Sequence, residues 1–467
     1  MANAMPDTNS TELPFLVKQH LRKHGIAHQL SQSVHNRLRA EVALLRDSFG
    51  LVQLFFRSDT LLDLEKVRRI TGRQLQPLPI PELNKLKTTL SVRTFPAFDE
   101  LLEAETFIDQ RLFNSDDVCL YSGNPDGLIQ IQDIKAIKQK DTTRVEDICV
   151  ELPPITADYE LSLFDHDREE IHRAVSNFTA LRIRQRLEET LEIPPLPETA
   201  QAIIRLRVDP DADISKLSRI VERDPSLAAQ VVSWASSSYY AAPGSIKSVQ
   251  DAIVRVLGYD LVMNLALGLS LGQTLEIPKD SPEGYAPYWK RAVYTAAASG
   301  ALLSLIPREF RPGFGLVYLT GLLHNFGFLI LAHGFRPHFS ATCRMLEANR
   351  HISHQHIEHY LLGITGDQIA SSLMKSWKMP DEVCYGIRYQ SDPDYMGAHA
   401  DHAQLVYLAN HLLQQYNLLP GAPGDFDATI YTRLNIDRVE VEDVMRGLVD
   451  ARDQLDGIVQ GLENGVK

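Results

Sequence analysis

The sequence predicts an α+β protein of two domains, a mixed α/β N-terminal part followed by an all-α C-terminal part. Three observations predict it. The chain has 467 residues, more than one domain of ~100–200 residues normally holds. Before about residue 150, short β-type runs alternate with helical stretches and Gly/Pro/Asn/Asp turns. After about residue 196, apolar residues recur at threes and fours almost to the end. The pattern divides the chain into residues 1–150, a linker with a connecting helix over 151–190, and a helical domain over 191–467.

In order, Phe15 to His24 reads as a helix stopped by Gly25. Leu51 to Phe56 is an unbroken apolar run after the turn Asp47-Ser48-Phe49-Gly50 and reads as a buried strand. Asp63 to Ile70 reads as a helix with Gly72 as its C-terminal stop. Val118 to Tyr121 and Leu128 to Gln132 read as two strands joined by the loop Ser122-Gly123-Asn124-Pro125-Asp126-Gly127. Leu152 to Asp165 is acidic, Pro-bearing and without period, as a linker is; Arg168 to Glu192 has helical spacing. Ile203, Leu206, Ile214, Leu217, Ile220 and Val221 share the helical period, as do Val441, Val444, Met445 and Leu448 after the helix start Asp437/Glu440.

Hydrophobic residues make up 44% and charged residues 23%, which excludes collagenous, low-complexity and disordered classes. The net charge of −13 argues against a DNA coat or a polybasic membrane binder. Cys119, Cys149, Cys343 and Cys384 form no CxxC pair, so neither a disulfide framework nor a Cys-rich zinc site is expected. Residues 1–14 carry no apolar leader, and the apolar window Leu316 to Ala332 is interrupted by His324 and Asn325. A cytoplasmic protein is expected. The histidines 351, 354, 356 and 359 lack the carboxylate of a familiar metal motif and read as a solvated helix end.

Several blocks in order, Leu196-Pro197-Glu198-Thr199, Glu222-Arg223-Asp224-Pro225-Ser226-Leu227, Trp234 to Tyr240, Ser248 to Ile253, Gly321 to Gly327 and Trp377 to Pro380, resemble the HDOD domain. That module is a bacterial signalling relative of the metal-dependent HD phosphohydrolases, and the resemblance spans roughly residues 190–460. An HD site needs imidazoles and carboxylates converging on divalent ions. By position, the family's ligands fall on Arg291, on His324-Asn325, near Gly366, on Gln390-Ser391 and on Asn410. Only His324 of these keeps a ligand side chain, so the resemblance implies a degenerate HD pocket with no metal, no cofactor and no phosphodiester hydrolysis.

The first 150 residues resemble, more faintly, the YbaK/proline-tRNA-synthetase-associated deacylases of wrongly charged tRNA. There the catalytic lysine would fall on Glu41, and a Gly-rich cleft loop on Ser122, Gly123, Asn124 and Gly127. The resulting expectation is a non-catalytic signal-transduction or scaffold protein, with the HDOD-like domain meeting signalling proteins and the deacylase-like domain sensing tRNA or a small ligand. A homodimer fits this reading; membrane and DNA partners do not. The alternative is an aminoacyl-tRNA deacylase or tRNA-binding adaptor acting through the N-terminal domain.

Overall fold

The computed structural model describes residues 13–31, 37–124, 127–154, 163–185, 196–240, 244–276, 278–334, 336–421 and 428–465. Pro125, Asp126, the middle of the expected linker and the end of the expected helix to Glu192 therefore lie outside the described residues. The chain forms two compact units, Met1–Pro154 with Pro282–Gly284 and Ala341–Ile357, and Ile155–Ser281 with Tyr285–Ser340 and Glu358–Lys467.

The first unit is α/β. Its strands are β1 (His28–Ser31), β2 (Arg39–Asp47), β3 (Gly50–Arg57), β4 (Thr60–Leu62), β5 (Gln76–Pro77), β6 (Glu105–Asp109), β7 (Cys119–Tyr121), β8 (Leu128–Ile131), β9 (Arg144–Glu146) and β10 (Cys149–Glu151). Seven of them form one mixed sheet in the order β1-β8-β7-β2-β3-β6-β9, with β5 added on β2, while β4 and β10 pair separately. The two longest strands, β2 and β3, form an antiparallel hairpin closed at Asp47↔Gly50. Asp47 Oδ1 accepts from Phe49 N at 2.8 Å, and Gly50 supplies the positive φ of +131° that the turn needs.

Strand alternation sends Ala43, Leu45, Val52, Leu54 and Phe56 to one face with Val67 and Phe107, and Ala40, Phe55, Ile108, Leu120 and Ile129 to the other with Val17, Leu21 and Phe98. Both faces are covered, which is why 51–56 reads as an unbroken apolar run. The helix Phe15–Lys23 stops short of Gly25, which has φ +60°. Leu64–Thr71 begins at Asp63, whose carboxylate accepts from Glu65 N and Lys66 N, and ends at the left-handed Gly72.

The returning segment Ala341–Ile357 completes this unit. The Asn349 amide, fully buried, accepts from Leu62 N at 2.7 Å and donates to Leu62 O at 3.0 Å, extending edge strand β4 like a strand partner. His351 Nε2 donates to Thr60 O at 2.9 Å and His356 Nδ1 to Pro153 O at 3.1 Å. The histidines 351, 354, 356 and 359 are thus not a solvated helix end: none is fully exposed, and two satisfy backbone carbonyls of this unit.

The described secondary-structure elements of the second unit are all helices. Trp234, Trp289, Tyr294 and Phe326 are among the largest side chains of its main core. The stretch Phe314–Gly334 is long and apolar enough to cross a membrane by composition alone, but 83% of its apolar window is buried inside the protein. It breaks at His324-Asn325 into the helices Phe314–Leu323 and Phe326–Gly334. The helix Leu163–Gln185 is anchored by Asp167, which receives Arg388 Nε at 2.7 Å and a second Arg388 nitrogen at 3.0 Å. The Gln368 amide adds a third bond to it at 3.0 Å. Asp437 caps the helix Arg438–Asp450 through Val439 N and Glu440 N.

Candidate functional site

Within the helical unit, close packing of glycines draws several elements to one point. A Cβ on Gly327 would lie 2.3 Å from Gly366 O, and one on Gly321 would lie 2.8 Å from Ala296 Cα. The break at His324-Asn325 is thereby held against the start of the helix Gly366–Ser376 and against the helix Tyr288–Leu303, which carries Arg291. Thr365 and Gln368 form a capping box that fixes the start of Gly366–Ser376.

Asp367 sits in the first turn of that helix, where the dipole favours a carboxylate. Gln390 Nε2 donates to Asp367 Oδ1 at 2.8 Å and to His324 O at 2.6 Å, and Ser391 Oγ donates to Asp367 Oδ2 at 3.1 Å. Glu358, 5% exposed, accepts from Gly366 N at 2.7 Å. Burial pushes its carboxyl up to about 8, the negative Asp367 adding to the rise and Arg291 opposing it. Burial also lowers the Arg291 guanidinium, while Tyr285, Asp367 and Glu358 hold it charged. The pocket therefore contains an internal cation, one hydrogen-bonded carboxylate and one carboxyl that stays protonated at neutral pH.

His324 is 2% exposed, with Nδ1 2.7 Å from Gly321 O. Asn325 Nδ2 donates to Tyr288 O at 3.1 Å; a carboxylate there would set an acceptor against that carbonyl. Asn410 Oδ1 instead accepts from Thr295 Oγ1 at 2.8 Å, one turn along the helix from Arg291. Of the residues expected in this pocket, the structure joins Arg291, His324, Gly366 and Gln390 through Asp367 and Glu358, and places Asn325 and Asn410 beside them on Tyr288 and Thr295.

In the first unit, Glu41 on β2 lines a cavity of about 100 Å³ together with Phe56, Glu347, Arg350 and His351. Tyr121 Oη donates to Glu41 Oε1 at 3.1 Å, and Arg39 Nε lies 3.8 Å from the same oxygen. Burial lowers His351, whose ring packs edge-on against Phe56 at 5.2 Å. The loop residues Ser122, Gly123, Asn124 and Gly127 do not line this cavity. Ser122 N donates to Gly127 O, Asn124 N to Ser122 Oγ and Gly127 N to Asn124 O, so these amides already have partners inside the loop. A Cβ on Gly123 would come within 2.7 Å of Pro14, so the loop is packed at that point.

The sequence profile of the HDOD domain matches residues 193–393. The crystal structure of a protein from Marinobacter aquaeolei VT8, provisionally named a signal transduction protein, is 42% identical, covers 97% of this chain and all of that one, and superposes with a TM-score of 0.86. Residues 193–393 of this chain are an HDOD domain. An HDOD domain protein of unknown function from Geobacter sulfurreducens aligns at 21% identity over 62% of this chain and 98% of that one, with a TM-score of 0.49. An uncharacterized protein of Treponema pallidum (strain Nichols) is 22% identical over 201 residues; the match takes up 42% of this chain but only 37% of that relative's length.

The HDOD match includes Arg291, His324, Asn325, Gly366 and Gln390, and stops before Asn410. Sequence reasoning missed Glu358 and Asp367, the two carboxyl groups that face Arg291. The signal for Asp367 was its place beside Gly366, just inside a Thr-x-x-Gln capping box. Glu358 had no comparable signal, because only burial makes it different from any helical glutamate. His351 reads only as part of a solvated helix end and Arg350 is not singled out, because the two share a cavity with Glu41 across about 310 residues of sequence.

Proposed function

We propose that this HDOD protein is a non-catalytic signal-transduction component, in which the helical domain binds a protein partner and the N-terminal unit senses a small polar ligand. The observation that carries the reading is Arg291. A permanently charged guanidinium faces Asp367 and Glu358 in the pocket where HD phosphohydrolases gather divalent ions, and a guanidinium offers no lone pair to a metal. A dication there would meet a fixed positive charge, one carboxylate and a protonated carboxyl. The name of the Marinobacter relative points to the same role.

The cavity beside Glu41 bears on the alternative. About 100 Å³ holds roughly three waters at ~30 Å³ each, well below the ~300–1,000 Å³ of drug-sized ligand sites. That volume suits a small polar molecule or ion. Sensing through a deacylase-like unit is therefore preferred to deacylation.

The test is to purify the chain free of metal, add Mg²⁺ or Mn²⁺, and assay hydrolysis of cyclic and linear phosphodiesters. No turnover is expected, and Arg291→His should not create it alone. Metal-dependent turnover that Asp367→Asn abolishes would overturn the non-catalytic reading. Release of amino acid from charged tRNA, lost in Glu41→Gln, would restore the deacylase reading.

A further inference from the structure

The helix Phe15–Lys23 places His20 and His24 one turn apart at its C-terminal end, and the fold brings Glu100 against them. His24 Nε2 lies 2.7 Å from Glu100 Oε2, and His20 Nδ1 lies 3.8 Å from the same oxygen. One ring nitrogen of each histidine and a Glu100 oxygen fall within 4.8 Å of one another. Among the described residues this is the single group of three His, Cys, Asp or Glu side chains so arranged. We propose that His20, His24 and Glu100 form a divalent transition-metal site, with zinc as the ion that two imidazoles and one carboxylate suit.

The chemistry of the donors supports zinc. Imidazole and carboxylate ligands at ~2.0–2.2 Å in a tetrahedron stand roughly 3.3 Å apart, a value between the two spacings measured here. Two histidines at i and i+4 on one helical face need only small rotamer changes to converge. With three protein ligands, a fourth position stays open to water or a ligand.

The surroundings hold the donor rings in place. His20 is 5% exposed. Its ring is fixed between His24 and Phe98, with centroids at 4.7 and 4.6 Å. The ligands cluster at the C-terminal end of the helix, where the dipole is negative and a cation is stabilised.

At present Lys23 occupies the charge-compensating role. Its ammonium lies 2.8 Å from the same Glu100 oxygen. Lys23 is 61% exposed and can swing into water when a metal takes its place. Lys23 is thus a competitor of the metal, not a ligand. That gives the proposal a test that a structural role for the cluster would not pass.

The experiment is equilibrium dialysis of the full chain, stripped with chelator, against buffered Zn²⁺. It uses wild type, His24→Gln, Glu100→Gln and Lys23→Gln, each checked for native far-UV circular dichroism. Wild type should bind one Zn²⁺ that raises its thermal midpoint. His24→Gln and Glu100→Gln should bind this ion roughly 10–100-fold more weakly or worse, and lose the thermal shift. Lys23→Gln should bind it more tightly than wild type. Absence of a stoichiometric ion in wild type overturns the proposal. So does equal binding by His24→Gln and Glu100→Gln, which would assign the metal to other histidines. Lys23→Gln binding no tighter than wild type would overturn it as well.

Discussion

Replacing Glu358 by glutamine isolates the most unusual titration in the HDOD pocket. Glu358 holds its proton up to about 8 in the folded chain, against ~4.3 for an unfolded glutamate. Between those values the folded state binds one proton more than the unfolded state, so stability falls as pH rises. The stabilising protonation is complete below the unfolded value and lost as pH passes through the folded one. At ~1.4 kcal/mol per unit, and allowing for the flattening above pH 8, the loss attached to this group from pH 6 to 9 is about 2–3 kcal/mol. Glutamine keeps an oxygen for Gly366 N but cannot ionise against Asp367.

The difference in unfolding free energy between wild type and Glu358→Gln should therefore shift by about 2–3 kcal/mol in favour of the variant from pH 6 to 9. Urea titrations read by tryptophan fluorescence are suited to it. All three tryptophans, Trp234, Trp289 and Trp377, lie in the helical unit, so the signal avoids the mixed transitions of a two-unit chain. Stability curves for the two proteins that remain parallel from pH 6 to 9 would refute the argument, because they would mean that Glu358 is ionised at neutral pH beside Arg291.

Three further outcomes follow from the same structure. Arg291→Met should move the Glu358 titration to higher pH in the same urea assay, since the cation that opposes its rise is gone. Asp167→Ala should cost ~3–5 kcal/mol, because it strands a nearly buried Arg388; protection of the amides in the helix 163–185 from hydrogen exchange should fall with it. Asn349→Ala should destabilise the first unit by about 1–3 kcal/mol for each Leu62 backbone group it orphans, measured as faster hydrogen exchange in β4 and β10.

Much of the architecture is legible in the chain. The helical C-terminal half follows from apolar residues at threes and fours, the hairpin from a turn ending in Gly50, and the ends of the helix Leu64–Thr71 from Asp63 and Gly72. These are local signals, set by backbone geometry and by the residues that cap it. β2 shows where such signals stop. Arg39–Asp47 is rich in Ala, Glu, Leu and Arg, all good helix formers, yet it is the longest strand. Pairing with β3 on one side and β7 on the other overrides the local preference.

For the sites, the sequence by itself determined which metal-ligand types are absent: an arginine at 291, amides at 325, 390 and 410, and a glycine at 366. It also carried the His20-x-x-x-His24 spacing that a helix turns into one face. Only the tertiary structure decided what surrounds them. Glu358 and Asp367 become partners of Arg291 because glycines let the helices touch, and Glu100 becomes a neighbour of His20 and His24 across about 80 residues. Burial, which shifts a carboxyl to about 8 or an imidazole to about 4, belongs to the folded environment and not to the residue, so no pattern in the chain announces it.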